Sequence, residues 1–157
     1  MRSSSIGLLL VSTLAGWMVT STANAAPNSR LTVEIGGLRN QDGTLCLSLF
    51  SSEQGFPNQS DRALASRCIQ AGETSATFYQ LAPGRYAVAV IHDANNDGKL
   101  NTGFLGIPEE GFGFSRNPRI GTRAPSFRNT AFLVSGESTQ IQISLKIFIV
   151  IIFQSTL

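Results

Sequence analysis

Residues 92–101, with the sequence HDANNDGKLN, place oxygen-bearing side chains at alternate positions and then a glycine. This is the front half of a calcium-binding loop, in which a chain winding around the ion supplies ligands from alternate residues. The glycine, Gly98, would allow the sharp turn around the ion. There are five candidate ligands, the fourth acting through its backbone carbonyl: Asp93, Asn95, Asp97, Lys99 and Asn101. Ca²⁺ is therefore the one cofactor that the sequence suggests.

The pattern departs from a complete EF-hand loop at the twelfth position. Counted from Asp93, that position should carry a bidentate carboxylate, and it carries Phe104 instead. Glu109 and Glu110 come later and would have to fold back to replace it. An Asx-rich turn explains the same residues without an ion, because Asp and Asn side chains bond to backbone amides nearby. Both interpretations stay open at this level.

A hydrolase would use the same segment differently, with His92 as the base, Asp93 beside it and Ser115 downstream. Adjacent residues on a strand point to opposite faces, so Asp93 would orient His92 poorly. No G-x-S-x-G nucleophile motif is present. Glu109 and Glu110 are neighbours in sequence and do not form a carboxylate pair that flanks a glycosidic bond. We therefore assign no catalytic residue and expect a protein that is not an enzyme, keeping His92, Glu110 and Ser115 as further site candidates.

The elements that must position these residues are β-strands. Residues 85–91, RYAVAVI, follow a Pro-Gly turn and are predicted as a central strand that ends at the candidate loop. Apolar patterns predict five more strands, at 31–35, 45–50, 74–81, 129–134 and 140–145. One helical turn is expected at 60–65. The series of short strands predicts an all-β fold, an antiparallel β-sandwich of immunoglobulin-like or transthyretin-like type.

Residues 98–128 are rich in glycine and proline and are predicted as one long ordered loop. The order is expected because four phenylalanines can bury area against the sandwich, namely Phe104, Phe112, Phe114 and Phe127. Four arginines also lie here, namely Arg116, Arg119, Arg123 and Arg128. They could face an anionic glycan or lipid headgroup, but an ordinary solvated surface is favoured.

Residues 1–25 have the composition of a secretory signal peptide. Arg2 precedes an apolar run at 6–19, and the small-x-small motif at 23–25 is a cleavage site. An uncleaved anchor is the alternative. The protein is therefore expected to be periplasmic or secreted after cleavage near Ala25, with no transmembrane span in the mature chain and one domain at 26–146.

Two cysteines, Cys46 and Cys68, fall within the predicted domain. In an exported protein an even count favours a disulfide, which would stabilise the fold by roughly 3 kcal/mol through loop entropy. Two buried free thiols are the alternative. A zinc site is not expected, because two cysteines and one histidine supply too few ligands.

Charge and the C-terminal residues limit the partners. The formal net charge is +2 and the basic residues form no run, so nucleic acid is not an expected partner. Residues 147–157 begin with the apolar run IFIVIIF, which is too short to span a bilayer that needs about 20 residues. This tail is either an overlong last strand or a non-native extension.

The segment HDxNxDGKL at 92–100, with GIPxEGxGFS at 106–115, resembles a bacterial family of exported proteins, the domain-of-unknown-function family numbered 2141. LxPGxYA at 81–87 and the strand at 31–38 match it too, while the tail after Lys146 departs from it. The resemblance implies an exported β-sandwich without an established activity. We therefore predict an exported binding or accessory module of unknown ligand, with calcium stabilisation of the loop and a metal-free Asx turn both left open. An exported hydrolase or a structural cell-envelope protein are the alternatives.

Overall fold

The computed structural model describes residues 28–103, 106–121 and 123–147, and buried and more exposed residues alternate along several of its β-strands. Its strands are β1 (Ser29–Gly36), β2 (Thr44–Phe50), β3 (Ala65–Gln70), β4 (Ser75–Leu81), β5 (Gly84–Asp93), β6 (Gly111–Phe114), β7 (Phe132–Val134) and β8 (Ser138–Ser144). A 3₁₀ turn covers Ser60–Arg62 and a single helical turn, α1, covers Phe127–Thr130. The predicted signal peptide, Phe104 and tail residues 148–157 lie outside the described residues.

The strands form two sheets, which confirms the all-β prediction. One sheet has the order β4-β1-β8, and the other has the order β3-β2-β5-β6, with β7 also paired to β5. Every pair is antiparallel except β1 with β8, which run parallel. Beyond β8, Lys146 pairs with Phe112 of β6, so the two sheets meet along one side. β5 lies inside its sheet, as predicted from its apolar sequence.

Two apolar clusters cover the two faces of the β2–β5 sheet. The first lies between the sheets and includes Leu31, Val33, Leu45, Leu47, Leu49, Val88, Val90 and Ile143. The second includes the buried Phe50, Phe112 and Phe114, with Phe56 and Phe127 packed against them. The ring of Phe56 meets the rings of Phe50 and Phe127 at centroid distances of 5.3 and 6.0 Å. β5 is therefore buried on both faces, and the predicted aromatic anchoring of the long loop is present at Phe112, Phe114 and Phe127.

Three segments differ from the sequence prediction. β3 was not predicted because it is an edge strand, mostly exposed, and shows little apolar alternation. β6, with the sequence GFGF, falls within the segment predicted as a long loop. It was not predicted as a strand because two of its four residues are glycines, which are depleted in strands. The strand predicted at 129–134 is only half right, because Thr130 donates its hydroxyl to the carbonyls of Ser126 and Phe127 and closes α1 before β7 begins.

The predicted disulfide is present between Cys46 of β2 and Cys68 of β3, which are directly opposite in the register of the two strands. It ties the edge strand to the sheet that carries the candidate site. No helix in the described part of the chain has the length and apolar character needed to cross a bilayer.

Candidate functional site

β5 carries the chain out of the core and into the candidate loop. Its last residues are still paired, with His92 opposite Leu45 and Asp93 opposite Thr44. Asp93 is only 2 % exposed, although it is ionisable. A buried carboxylate must be satisfied by hydrogen-bond donors or a cation, so the surroundings of Asp93 decide what this strand end can do.

Backbone amides of the loop itself surround Asp93. Asp97 N donates to Asp93 Oδ1 at 3.1 Å, and Gly98 N donates to Oδ2 at 2.8 Å. One turn further on, Lys99 N donates to Asp97 Oδ1 at 2.9 Å. Asn96 and Gly98 have φ values of 60° and 78°, the left-handed backbone that a tight reversal needs. The loop is wound as both interpretations require, so these bonds alone do not choose between them.

A short hairpin brings Glu110 back to this loop. Thr102 pairs with Pro108, and Glu109 N donates to Asn101 O at 3.0 Å, so the chain returns beside its own departure point. We call the described residues 101–103 and 106–109 the return hairpin. Directly after it, Glu110 accepts from Ala94 N through Oε1 at 3.0 Å and from Asn101 N through Oε2 at 2.9 Å. One carboxylate thus joins both ends of the loop.

Asn101 holds an oxygen without a partner at this junction. Its Oδ1 is buried and accepts no hydrogen bond, the sole such side-chain atom among the described residues. Such an orphaned acceptor costs about 1–3 kcal/mol unless something else satisfies it. The side-chain amide of Asn101 also lowers the pKa of Asp97, with smaller contributions from the Lys99 amide and the Asn95 side chain. The side-chain amide of Asn101 therefore lies next to the Asp97 carboxylate.

The donor set is one of mixed oxygens. Within the described residues, no three His, Cys, Asp or Glu side chains form a group that could hold a metal ion. A site here would need the amide oxygens of Asn95 and Asn101 and the carbonyl of Lys99 as well as carboxylates. Carboxylate, amide and carbonyl oxygens together are the ligands of Ca²⁺, whereas protein zinc sites are built mainly from cysteine sulfur and histidine nitrogen.

His92 has a structural bond rather than a catalytic partner. It is 3 % exposed, and its Nε2–H donates to the carbonyl of Asp42 at 2.8 Å. Next to Asp42, Gly43 has a φ of 68° and packs so closely on Asp93 and Ala94 that a Cβ there would collide with their backbone. In the sequence, Asp42-Gly43 is a pair typical of a tight turn, and nothing in that pattern indicates this contact with the site.

Ser115 is likewise occupied. Its hydroxyl donates to Thr130 O at 2.7 Å and accepts from Val88 N at 3.0 Å, and the residue is fully buried. No hydrogen bond joins Ser115 to His92 in the described part of the chain. The three residues of the hydrolase alternative, His92, Asp93 and Ser115, therefore each serve a separate structural contact, and no observation favours that alternative.

A small cavity lies between the β1–β2 turn and the return hairpin. Its volume is about 80 Å³ and its lining includes Arg39, His92, Glu109 and Glu110. Pockets for small organic ligands usually measure about 300–1,000 Å³, so this one has room only for a few water molecules. The groups that could bind something at this strand end are therefore the loop oxygens themselves.

Comparison with known proteins adds one finding. The model of a family described as "Uncharacterized protein conserved in bacteria (DUF2141)" matches residues 33–142, which include the second half of β1, all of β2 to β7, the loop, the return hairpin and most of β8. No curated protein and no solved structure matches the chain.

Proposed function

The chain belongs to the DUF2141 family of uncharacterised bacterial proteins, as its sequence motifs predicted, and from that premise we propose that it is an exported β-sandwich binding or accessory module stabilised by Ca²⁺. The observation that carries the calcium part is the buried, unpartnered Oδ1 of Asn101. It lies in a loop whose other oxygens belong to carboxylates and amides, the ligand types that Ca²⁺ selects.

Charge supports a cation at this place. Asp93 is buried, and among the described residues both Asp93 and Glu110 take hydrogen bonds only from uncharged backbone amides. Amides satisfy some of the carboxylate lone pairs but leave the negative charges uncompensated. A divalent cation bound by the loop would offset this negative charge and would satisfy Asn101 Oδ1 at the same time.

Position supports a binding role. The loop extends from β5, a strand buried on both faces. The turn at Asp42-Gly43 packs against the first residues of the loop, and the carbonyl of Asp42 accepts a hydrogen bond from His92. A site at the end of a fixed strand keeps its geometry while its surface faces solvent. Asn95 and Lys99 are exposed, so the loop is accessible to an ion or a partner.

Export is supported by two separate features of the chain. The first is the signal-peptide pattern of residues 1–25. The second is the Cys46–Cys68 disulfide, since such bonds persist in oxidising compartments. Calcium modules of extracellular proteins have Kd values of about 10⁻⁴–10⁻³ M, and we place this loop in that range.

Thermal unfolding of the purified full chain tests the proposal. With 10 mM CaCl₂ and a Kd of about 10⁻⁴–10⁻³ M, linkage predicts about 1.4–2.7 kcal/mol of added stability. That corresponds to a rise in Tm of several degrees, which EDTA reverses. MgCl₂ at the same concentration is the matched control and should raise Tm much less. Equal melting curves in CaCl₂ and EDTA would reject the calcium part of the proposal.

A further inference from the structure

We infer that the domain has a second functional face, formed by exposed arginines and a leucine, which binds the surface of a membrane containing anionic phospholipids. The face consists of Arg85, Arg116, Arg128 and Leu133, and we call it the arginine face. It lies at the opposite end of β5 from the candidate loop. The inference rests on the proposed role as a binding module and names its partner, but it does not depend on calcium.

Charge is unevenly distributed along the chain. Residues 93–110 contain four acidic residues and one lysine, whereas residues 111–136 contain four arginines and no aspartate or glutamate. These four arginines are all exposed, and within the described residues none of them forms an ion pair. Their positive charge is therefore available to an anionic partner.

β5 and β7 place an arginine beside an exposed leucine. Arg85 lies directly opposite Leu133 in the antiparallel register, so both side chains are on the same face of the sheet. Their neighbours Tyr86 and Phe132 are also opposite each other and pack into the core between the sheets. Arg85 and Leu133 therefore point away from that core, and Leu133 is 63 % exposed.

Two more arginines are positioned next to the start of β7. The guanidinium of Arg116 donates to the carbonyl of Ala131 at 3.4 Å, one residue before β7 begins. Arg128 lies in α1 directly after Phe127, whose ring packs on Phe56 with the centroids 6.0 Å apart. Three separate segments of the chain thus present cations near one exposed apolar side chain.

The acidic loop does not neutralise this face. Arg85 and Asp93 are both on β5, and at about 3.3 Å per residue their backbones are roughly 26 Å apart. That distance is roughly three Debye lengths at physiological ionic strength. The loop and the arginine face are therefore separate electrostatic regions of the same sheet.

A lipid surface fits this combination of side chains better than a soluble polyanion does. Guanidinium groups form bidentate hydrogen bonds with phosphate oxygens, and a leucine among them can enter the apolar region below the headgroups. An acidic glycan would use the arginines but would gain nothing from Leu133, since it offers no apolar phase in which to bury that side chain. The exposed leucine therefore favours the membrane.

Co-sedimentation with lipid vesicles in EDTA tests the inference separately from the calcium proposal. The purified full chain is mixed with vesicles of phosphatidylglycerol and phosphatidylcholine in equal parts, or of phosphatidylcholine alone. Binding to the anionic vesicles should be at least about tenfold stronger, since each arginine near such a surface contributes about fivefold. Equal binding to both would overturn the inference, because the apolar segments at 6–19 and 147–153 would then account for it.

Matched double variants test whether the arginine face is the part that binds. Arg85→Gln/Arg128→Gln should weaken binding to the anionic vesicles by at least about tenfold. Arg30→Gln/Arg39→Gln removes the same charge from exposed positions elsewhere and should stay within about threefold of wild type. None of the four side chains forms a hydrogen bond within the described residues, so both variants should fold. An equal loss in the two variants would mean that net charge alone drives binding and would reject the arginine face.

Leu133→Ser tests the apolar contribution. Loss of its partial burial in lipid should weaken binding by about three- to tenfold. Tyr79→Ser changes a side chain that is 65 % exposed on the other sheet, and this control should bind as wild type does. Wild-type binding by Leu133→Ser, together with equally tight binding of the chain to alginate, would identify a soluble polyanion as the partner and overturn the inference. If the wild type responds to calcium but does not bind vesicles, the proposed calcium function stands and this inference alone fails.

Discussion

The β2–β5 sheet and the loop that follows it satisfy their backbone amides in opposite ways. In the sheet, the amides donate to carbonyl groups of the neighbouring strand. An example is the antiparallel pair of β2 and β5, in which Leu47 lies opposite Val90 and both side chains belong to the core between the sheets. In the loop, five amides donate to carboxylate oxygens, those of Ala94, Asp97, Gly98, Lys99 and Asn101. The sheet is thus stabilised by buried area, and the loop by charge. Only the loop should respond to a cation.

The largest expected effect lies in the sheet. Leu47 is fully buried between the sheets, so Leu47→Ala should cost about 2–5 kcal/mol through lost burial and a cavity. Urea unfolding in CaCl₂ and in EDTA should show the same loss, because Leu47 contributes apolar area between the sheets and no ligand of the loop, so that the two effects should add. A loss that changed with calcium would contradict the separation of the two regions.

The disulfide should come next. Cys46→Ala/Cys68→Ala removes the bridge between β2 and β3, and we expect a loss of about 2–4 kcal/mol. The calcium-induced rise in Tm should remain, since neither cysteine belongs to the loop. Mild reduction of the wild type is the parallel measurement. A double variant that had lost its calcium response would show that the sheet and the loop are coupled.

A smaller loss of stability is expected for Asp93→Asn, but this variant should also lose the stabilisation by calcium. Asp93→Asn loses one of the two acceptors that hold Asp97 N and Gly98 N, which costs about 1–3 kcal/mol. It also removes a proposed ligand charge, so the rise in Tm with CaCl₂ should vanish. Asp61→Asn, on the exposed 3₁₀ turn, is the control that should keep it. An intact calcium response in Asp93→Asn would place the ion elsewhere.

The smallest effect is expected at Lys99. Only its backbone carbonyl is proposed to bind the ion, so Lys99→Met should alter stability by less than about 0.5 kcal/mol. Loss of a positive charge next to Asp97 should leave calcium affinity equal or slightly higher. Calorimetry with CaCl₂ measures this directly. A strong drop in affinity would mean that the side chain, and not the carbonyl, shapes the site.

The same contrast explains what could be predicted from the sequence. The position of β5 and of the loop at its end followed from local patterns, an apolar run and then alternating Asp and Asn. The position of Glu110 next to the loop could not be predicted in this way, because it depends on pairing within the return hairpin and on the packing of β6. Gly113 there lies so close to Ile143 of β8 that a side chain would have to displace it, a contact that no local pattern reveals.

Burial of single atoms was also beyond sequence reasoning. Asn101 was a candidate by its spacing alone, and nothing in its neighbours indicated that its Oδ1 would be enclosed without a partner. Similarly, an Asp-Gly pair such as that at 42–43 is typical of a turn, but its contact with His92 and Asp93 arises from the β2–β5 register. Spacing identifies which residues can act, whereas tertiary contacts decide which of them meet.

The parallel pairing of β1 with β8 affects how the domain can fold during its synthesis. Arg30 is paired with Ser138, so the first strand must wait for residues synthesised more than a hundred positions later. A chain emerging from its N-terminus cannot complete the β4-β1-β8 sheet until that late strand arrives. Such non-local closure makes folding slow, and β1 stays exposed as an open edge in the meantime.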